Sequence, residues 1–220
     1  MQSGGNGPYD APMSAAPNSP RGRIDKQQAV LAAAFTVFAR VGYAQARVDE
    51  IAAEAKVAKA TVYSHFGDKE TLFRQVVRGL SETALAGNLA AVEQLAGAGD
   101  DLPANLAEVG FQLARCYCLE ESRALRRLVS AEAPQFPDLL DVVDDVSHRV
   151  TQALAGRLAR LSLAGSLLID NPELAATQFA ALLTGSLDAR SRLSTRPVPD
   201  TELRDVADAA AGTFLKAFGR

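Results

Sequence analysis

The sequence contains no tryptophan and few aromatic residues of any kind. Its 220 residues include 9 Phe and 4 Tyr, an aromatic share of 6%, while hydrophobic residues make up 48% of the chain. Alanine, the strongest helix former, is frequent, whereas the aromatic residues that favour strands are scarce. No stretch shows the strict alternation of a half-buried strand. The composition and the periodicity therefore predict an all-α fold.

Long apolar runs are also missing. No run approaches the roughly 20 residues that a membrane-spanning helix requires. The first 20 residues, MQSGGNGPYDAPMSAAPNSP, lack the apolar core of a secretory signal and are too rich in Gly, Pro, Ser and Asn to order themselves. We expect a disordered tail over residues 1–20 and a cytoplasmic protein with no membrane partner; Met1 and Met13 both stay open as the start.

Residues that carry catalytic or metal chemistry are few. The only cysteines, Cys116 and Cys118, point about 200° apart on a helix, so they neither pair nor chelate together. We expect them to be buried small hydrophobes, with a redox sensor as the alternative. The two histidines, His65 and His148, have no Cys or carboxylate at metal-site or triad spacing. No glycine-rich phosphate loop occurs. We therefore expect no metal, no cofactor and no enzyme.

Charge is unevenly distributed along the chain. The net charge is −3, but residues 21–80 contain ten Lys or Arg against six Asp or Glu, a balance of +4. Residues 81–220 contain thirteen basic against nineteen acidic residues, a balance of −6. A basic N-terminal unit on an acidic body would orient the molecule toward phosphates. Ordinary fluctuation also explains such an asymmetry, so it counts as support only.

The stretch 48–66, VDEIAAEAKVAKATVYSHF, has the pattern of two short helices joined by a tight turn. The first helix carries apolar residues at i, i+3, i+4 and i+7, namely Val48, Ile51, Ala52 and Ala55. After the turn 56–58, the second helix, 59–65, directs Val62 and the following Phe66 to the same core. Its other positions are polar. This arrangement is typical of a helix-turn-helix whose second helix enters the DNA major groove.

The residues around this stretch carry a family resemblance. GYAQARVDEIAAEAKVAKATVYSHFGDKETLF closely resembles the DNA-binding segment of the TetR family of bacterial transcriptional regulators (the TetR/AcrR group), from about residue 24 to residue 80. Residues 125–140, LRRLVSAEAPQFPDLL, are similar to the AefR-like branch of TetR C-terminal domains. The resemblance implies a helix-turn-helix DNA-binding domain over 21–68 and an effector-binding and dimerisation domain over 69–220.

About nine helices are expected in total. Helix 1 spans about 24–41, with Ile24, Leu31, Phe35 and Phe38 on its buried face and Gly42 at its end. Helix 4, the connector, begins after the N-cap Asp68 and continues to about residue 95, before a break at 97–103. The remaining expected helices are helix 5 (104–119), helix 6 (122–133), helix 7 (about 137–161), helix 8 (about 172–190, after the Asn171-Pro172 start signal) and helix 9 (201–218).

The resemblance also implies roles in DNA binding. Thr61, Tyr63, His65 and Lys69 match family positions that contact operator phosphates or base edges, and their side chains are suitable donors. Lys59 and Ser64 lie on the exposed side of the second helix and are candidates for reading bases. Tyr63 as a surface-packing aromatic and His65 as a helix-terminal cap remain alternatives. Whether Arg21 and Arg23 reach a minor groove is also open.

Several residues depart from the family pattern. Lys56 replaces the glycine that usually begins the turn, and a left-handed Lys costs on the order of 1 kcal/mol. Ala58 replaces the usual Ser or Thr cap, a loss of about 1 kcal/mol. Arg47 replaces a hydroxyl residue and offers a charged phosphate contact, while Asp49 puts an acid near the DNA side. Operator preference therefore cannot be taken from a relative.

These observations predict a regulator, most simply a repressor, that binds double-stranded DNA at a palindromic operator as a homodimer. The apolar faces of the expected helix 8 (about 172–190) and helix 9 (201–218) are larger than the core of one chain requires. We therefore expect a dimer interface of Phe179, Leu183, Leu187, Val206, Ala210 and Phe214. The resemblance implies a pocket among helices 5–8 for a small, largely apolar effector. Phe111, His148 and Gln178 are candidate lining residues, or ordinary core and surface. The alternatives are a helical adaptor that binds protein, and a helical enzyme.

Overall fold

A computed structural model describes residues 20–95 and 101–220, with side chains from residue 23 onward, and these ranges are all-α. The helices are α1 Pro20–Gln45, α2 Val48–Glu54, α3 Lys59–Phe66, α4 Lys69–Glu93, α5 Leu102–Cys118, α6 Glu120–Glu132, α7 Asp138–Leu163, α8 Pro172–Thr184, α9 Leu187–Arg190 and α10 Asp200–Phe218. The predicted all-α class is confirmed. The predicted tail, the Met13 alternative and residues 97–100 of the predicted break lie outside the described residues.

Local sequence signals place the helix ends. Asp68 and Asn171, predicted as N-caps, accept hydrogen bonds from the backbone N–H groups of Thr71 at 2.6 Å and Leu174 at 3.0 Å. These bonds satisfy donors that have no partner within the helix. Gly42 has φ 77°, a conformation that interrupts α1 at the predicted position and that a residue with a Cβ adopts only at a cost.

Two predicted segments differ from the structure. Ile24 was expected on the buried face of α1, but its side chain is 57% exposed because the first turns of this helix extend past the core that begins at Val30. Helix 8 was expected to continue to Arg190. It ends at Thr184, and after Gly185 and Ser186 the separate turn α9 directs Leu187 inward, which accounts for a tenth helix.

The described chain contains two hydrophobic cores. The first joins α1–α4 to α6, the α6–α7 connection and the start of α7, which together contribute Leu125, Leu128, Val129, Phe136 and Leu139. The second lies among the end of α4, α5, the second half of α7, α8 and α10. Since the first core extends past residue 69, the N-terminal helices share their apolar interior with the body.

Phe136 joins these two parts of the molecule. Its ring contacts Tyr43 at a centroid distance of 4.7 Å and Phe73 at 5.2 Å, and the guanidinium of Arg74 lies 5.1 Å from it. Arg74 also pairs with Asp138 at the start of α7. The orientation of the N-terminal helices on the body is therefore fixed by an aromatic cluster and an ion pair.

The six side chains expected to form a dimer interface are interior to one chain. Phe179 and Leu187 are fully buried, Phe214 is 1% exposed, and the least buried of the set is 6% exposed. The rings of Phe179 and Phe214 contact each other at 5.2 Å where α8 packs on α10. The apolar surface of these helices is thus used within the chain, and a partner would have to bind their outer faces.

Candidate functional site

The α2–α3 unit has the geometry of a helix-turn-helix. Lys56 has φ 55°, so the left-handed lysine expected at the turn is present. The N–H of Lys56 donates to the carbonyl of Ala53 at 3.1 Å, and the N–H of Val57 donates to that of Ala52 at 3.0 Å. These two bonds form a Schellman motif, which closes α2 and reverses the chain toward α3.

The outer face of α3 is polar. Val62 and Phe66 are buried at 2% and 4% exposure, as predicted, while the Tyr63 side chain is 45% exposed and Ser64 is exposed beside it. Thr61 and His65 are partly exposed on the same short helix. A hydroxyl, a phenol and an imidazole therefore face away from the core within two helical turns, where donors can reach phosphate oxygens or base edges.

Lys59 is paired before any ligand arrives. Its Nζ lies 2.9 Å from Asp49 Oδ1 on α2, and both side chains are about half exposed. The hydrogen bond from Lys59 to Asp49 raises the pKa of the lysine. Arg47, at the N-cap position of α2, is exposed and makes no capping hydrogen bond. Lys59 is therefore engaged by an acid, whereas Arg47 forms no ion pair with any residue that the structure describes.

Lys69 is placed against the protein backbone. Its Nζ donates to the carbonyls of Tyr43 at 2.9 Å, Ala46 at 3.1 Å and Ala44 at 3.4 Å, and it lies 4.4 Å from the centre of the Tyr43 ring. An ammonium group has three N–H donors. The structure therefore gives Lys69 a role in holding the end of α1, and its predicted DNA contact stays a prediction.

A cavity of about 370 Å³, partly open to solvent, is lined by α4, α5, α6, α7 and α8. Half of the described residues that line it are Ala, Val or Leu, and none of them is aspartate or glutamate. The polar groups on its wall include Ser81, Asn88, Cys116, Tyr117, Arg126 and Thr151. A volume of this size falls within the usual range for small-molecule sites.

None of the three predicted lining candidates reaches the cavity. Phe111 is buried and packs its ring 3.7 Å from the guanidinium carbon of Arg204, while His148 and Gln178 are exposed on α7 and α8. An aromatic or polar residue among apolar neighbours does not specify which helix face points inward. On α6, Ser122 and Arg126 lie four residues apart on one face, and both line the cavity.

Two polar side chains on the cavity wall differ from the rest: Arg126 on α6 is charged, and Ser81 on α4 is buried without a hydrogen-bond partner among the described residues. Arg126 stacks 3.8 Å from the centre of the Tyr117 ring and donates to the carbonyl of Tyr117 at 2.9 Å and to Ser194 Oγ at 3.1 Å. Burial lowers the pKa of this guanidinium and raises the pKa of Tyr117 to about 12. Ser81 is 4% exposed, and its hydroxyl has no hydrogen-bond partner in the described part of the chain.

Cys116 lines the cavity, and Cys118 lies two residues further along; both are partly buried free thiols. Burial raises the pKa of each thiol. Because the thiolate is the reactive form, the raised pKa values favour buried small hydrophobes over a redox sensor.

α6 extends from the cavity to the DNA-binding unit. Arg126 lies on the cavity wall, and Glu132, at the end of the same helix, accepts a hydrogen bond from the backbone N–H of Tyr43 at 2.8 Å. α4 makes a second connection, since its first turn carries Lys69 and its middle carries Ser81 and Asn88. α4 and α6 therefore each line the cavity and also contact the end of α1, next to the α2–α3 unit.

In the described ranges no three His, Cys, Asp or Glu side chains cluster so as to hold a metal ion. Within those same ranges, every helix is too short or too polar to cross a membrane.

Comparisons with known proteins agree with this arrangement. The pattern of the C-terminal domain of AefR-like transcriptional repressors matches residues 104–220, and that of the tetR family of bacterial regulatory proteins matches residues 30–76. An HTH-type transcriptional repressor of Streptomyces coelicolor is 46% identical over 48 residues, which are 22% of this chain and 25% of that repressor. The chain thus aligns with a quarter of the length of this curated relative.

Solved structures match over nearly the whole chain. A structure from Mesorhizobium loti, described as a TetR-family transcriptional regulator, has a TM-score of 0.81 and 28% identity, and covers 90% of this chain and 98% of its own. The flavonoid-responsive regulator FrrA has a TM-score of 0.63 and 27% identity, and covers 88% and 97% respectively.

Proposed function

The chain belongs to the TetR family of bacterial transcriptional regulators, which are not enzymes, and on that premise we propose that it is a repressor that binds a palindromic operator as a homodimer. The observation that carries this proposal is the polar outer face of α3, with Tyr63 45% exposed beside Thr61, Ser64 and His65. One such helix per chain reads one half-site, so a palindrome requires two chains.

DNA binding is tested first by its salt dependence. Operator fragments are recovered from genomic DNA with the full-length protein, and affinity is then measured by gel shift at several salt concentrations. A protein that contacts several phosphates loses affinity steeply as salt rises, whereas a helical adaptor for proteins shows no such dependence on duplex DNA. A flat salt profile would favour the adaptor.

Tyr63 supplies the residue-specific test. Tyr63→Ala should weaken operator binding at least about tenfold, and Tyr63→Phe, which removes only the hydroxyl, about 2- to 10-fold, the value of one net hydrogen bond. Both variants should keep the helical circular dichroism spectrum because the side chain is exposed. Full binding by Tyr63→Ala would assign this residue to surface packing. Lys69 is a poorer probe, since its removal also frees three backbone carbonyls.

The Lys59–Asp49 pair gives a test with the opposite sign. Asp49→Asn removes an acid from the DNA-facing side and releases the Lys59 ammonium, so affinity should rise and the salt slope should steepen by about one ion. Lys59→Ala should lower affinity and flatten the slope by about one, with Lys216→Ala on the distant α10 as the matched control. Weaker binding by Asp49→Asn would place this pair away from the DNA.

For the dimer we propose the outer faces of α8 and α10. No charged residue occurs between Glu173 and Asp188, although 22% of the chain is charged. Leu174 and Leu182 on this stretch are 53% and 39% exposed. An exposed, uncharged helical face with leucines is typical of a surface that a partner covers. The two helices pack on each other through Phe179 and Phe214, so two copies would form a four-helix arrangement.

Leu182→Arg tests this interface. We expect monomers in sedimentation velocity, an unchanged circular dichroism spectrum and weakened operator binding, because the two α3 helices are no longer linked. Leu163→Arg is the matched control, since Leu163 is 89% exposed and lies on α7. A folded Leu182→Arg protein that remains dimeric would move the interface elsewhere.

We further propose that a small, largely apolar effector occupies the cavity and lowers operator affinity. The support is a cavity of suitable volume whose wall surface is largely apolar, and a relative whose name describes it as responsive to a class of small molecules, the flavonoids. The operator would be released by a population shift, because the ligand prefers a state in which α4 and α6 are displaced. In that state the two α3 helices no longer have the spacing of adjacent major grooves. A ligand with equal affinity for both states would shift nothing.

The effector is sought by titrating compounds suggested by the genes beside the recovered operators. A true effector should lower operator affinity, and operator DNA should lower effector affinity by the same factor. Leu113→Trp, which fills the cavity from α5, should abolish this response while the protein still binds DNA. If every tight ligand left operator affinity unchanged, the cavity would have no regulatory role.

A further inference from the structure

Arg126 is a half-buried cation without an acidic partner. Among the described residues, no carboxylate lies within ion-pair distance of it, in contrast to Arg123 and Arg127 on the same helix, which both pair with Glu120. Asp188, the acid near Arg126, accepts its hydrogen bond from the Tyr117 hydroxyl at 2.9 Å. Buried charges are ordinarily paired, so an unpaired guanidinium on a cavity wall is unusual.

Arg126 also has donors to spare. A guanidinium has five N–H groups, and in the described part of the chain only two of these bonds are made, to the Tyr117 carbonyl and to Ser194 Oγ. Both acceptors are neutral. The stack on the Tyr117 ring fixes the plane of the guanidinium at the cavity wall, which suits a planar partner that accepts two parallel hydrogen bonds.

The rest of the cavity limits the charge of its occupant. Among the described residues that line the cavity, Arg126 is the only charged one, and most of the lining surface is apolar. One guanidinium balances one negative charge, so a phosphate dianion would leave excess charge in an apolar site. A cation would meet repulsion from Arg126, because Asp188, the nearby acid, accepts from the Tyr117 hydroxyl and does not line the cavity. Ser81, on α4, adds a hydroxyl whose own hydrogen-bonding capacity is unused.

We propose that the cavity binds an apolar carboxylate: a singly charged acid whose carboxylate pairs with Arg126, whose hydrocarbon body fills the space lined by Leu113, Val146 and Val150, and to which Ser81 can donate. This inference rests on the proposed effector function and names the chemical class of the effector. A phenol, the class to which flavonoids belong, is ordinarily neutral at pH 7 and would leave the guanidinium unpaired. We therefore expect this chain to differ in ligand class from the flavonoid-responsive relative.

The test measures direct binding by calorimetry with full-length protein and no DNA. Decanoate, cinnamate and naphthoate are compared with their primary amides, and naphthoate also with naphthol and with naphthylmethylammonium. At least one carboxylate should bind about 10- to 100-fold tighter than its amide, the value of a charge-assisted hydrogen-bonded pair, and the cation should not bind. If no carboxylate exceeds its amide, or if naphthol binds more tightly than naphthoate, the assignment is overturned.

Two arginine variants locate the site. Arg126→Met should reduce binding of the best carboxylate about 10- to 100-fold and leave binding of its amide within about threefold. Arg127→Met is the matched control, because Arg127 also donates to Ser194 from α6 but does not line the cavity. If Arg126→Met reduced the affinity for the acid and for its amide by the same factor, the cause would be altered packing of the cavity and not the loss of an ion pair. Ser81→Ala should weaken the carboxylate about 2- to 10-fold.

The two proposals fail in different ways. A carboxylate that needs Arg126 for binding but leaves operator affinity unchanged would uphold the ligand class and refute the effector role. A neutral compound that releases the operator, with no carboxylate binding, would uphold the effector role and refute the ligand class.

Discussion

Lys56 offers a direct measurement of strain in the helix-turn-helix. Its φ of 55° places a residue with a Cβ in the left-handed region, at the C′ position of a Schellman motif that ends α2. That conformation costs a non-glycine residue about 1–2 kcal/mol. Lys56→Gly removes the cost but adds about 0.5–1 kcal/mol of conformational freedom to the unfolded chain. The expected net gain in the free energy of unfolding is about 0.5–1 kcal/mol.

Urea unfolding followed by circular dichroism measures this gain, and a thermal scan should show an increase of about 2–4 °C per kcal/mol for a chain of this size. Lys56→Ala is the matched control, since it removes the same exposed charge but keeps a Cβ at the same φ. Its stability should lie within about 0.5 kcal/mol of the parent. If Lys56→Ala stabilised the protein as much as Lys56→Gly, charge rather than backbone conformation would be the cause.

Three further predictions concern the core, a helix cap and the contact between α6 and the DNA-binding unit. Phe214→Ala should lower the free energy of unfolding by about 3–5 kcal/mol in urea melts, because its ring is 1% exposed and interior to one chain. The hydrogen bond from the backbone N–H of Thr71 lowers the pKa of Asp68, so the stability that this carboxylate contributes is present above its unfolded pKa, 3.8, and is lost as the pH falls through the lowered folded value. In Asp68→Asn, which keeps the cap without the charge, the free energy of unfolding should therefore fall less steeply as the pH is lowered. Glu132→Ala should leave the Tyr43 N–H without its acceptor and speed hydrogen exchange of that amide, whereas an unchanged rate would mean that the bond is not maintained in solution.

Local features of the molecule were predictable from the sequence because they depend on neighbouring residues. The cap at Asp68 and the stop at Gly42 each follow from which side chain occupies one position of a short motif. The left-handed Lys56 was expected from the family resemblance, because a glycine usually begins this turn. Periodicity likewise identified Val62 and Phe66 as the inner face of α3.

Features that depend on distant helices were not predictable in the same way. Phe179 and Phe214 were correctly identified as apolar-face residues, but a periodic stripe does not say whether another helix of the same chain or a second chain covers it. The cavity requires five helices from residue 81 to residue 184 to leave a gap, a property of packing that no single stripe encodes. Arg126 was passed over because an arginine on a surface helix is ordinarily solvated.

The aromatic cluster around Phe136 bears on how this protein can be recombined with its relatives. An exchange of DNA-binding specificity at a cut between residues 68 and 69 would transplant α1–α3 but leave behind Phe136, Leu128 and Leu139, which form part of the interior of those helices. In such a chimaera Tyr43 would lose its edge-on contact with the ring of Phe136 and would pack against residues of the other protein. Working chimaeras should therefore carry the segment 125–139 together with the reading helices, so that the exchangeable unit is discontinuous in sequence although contiguous in space.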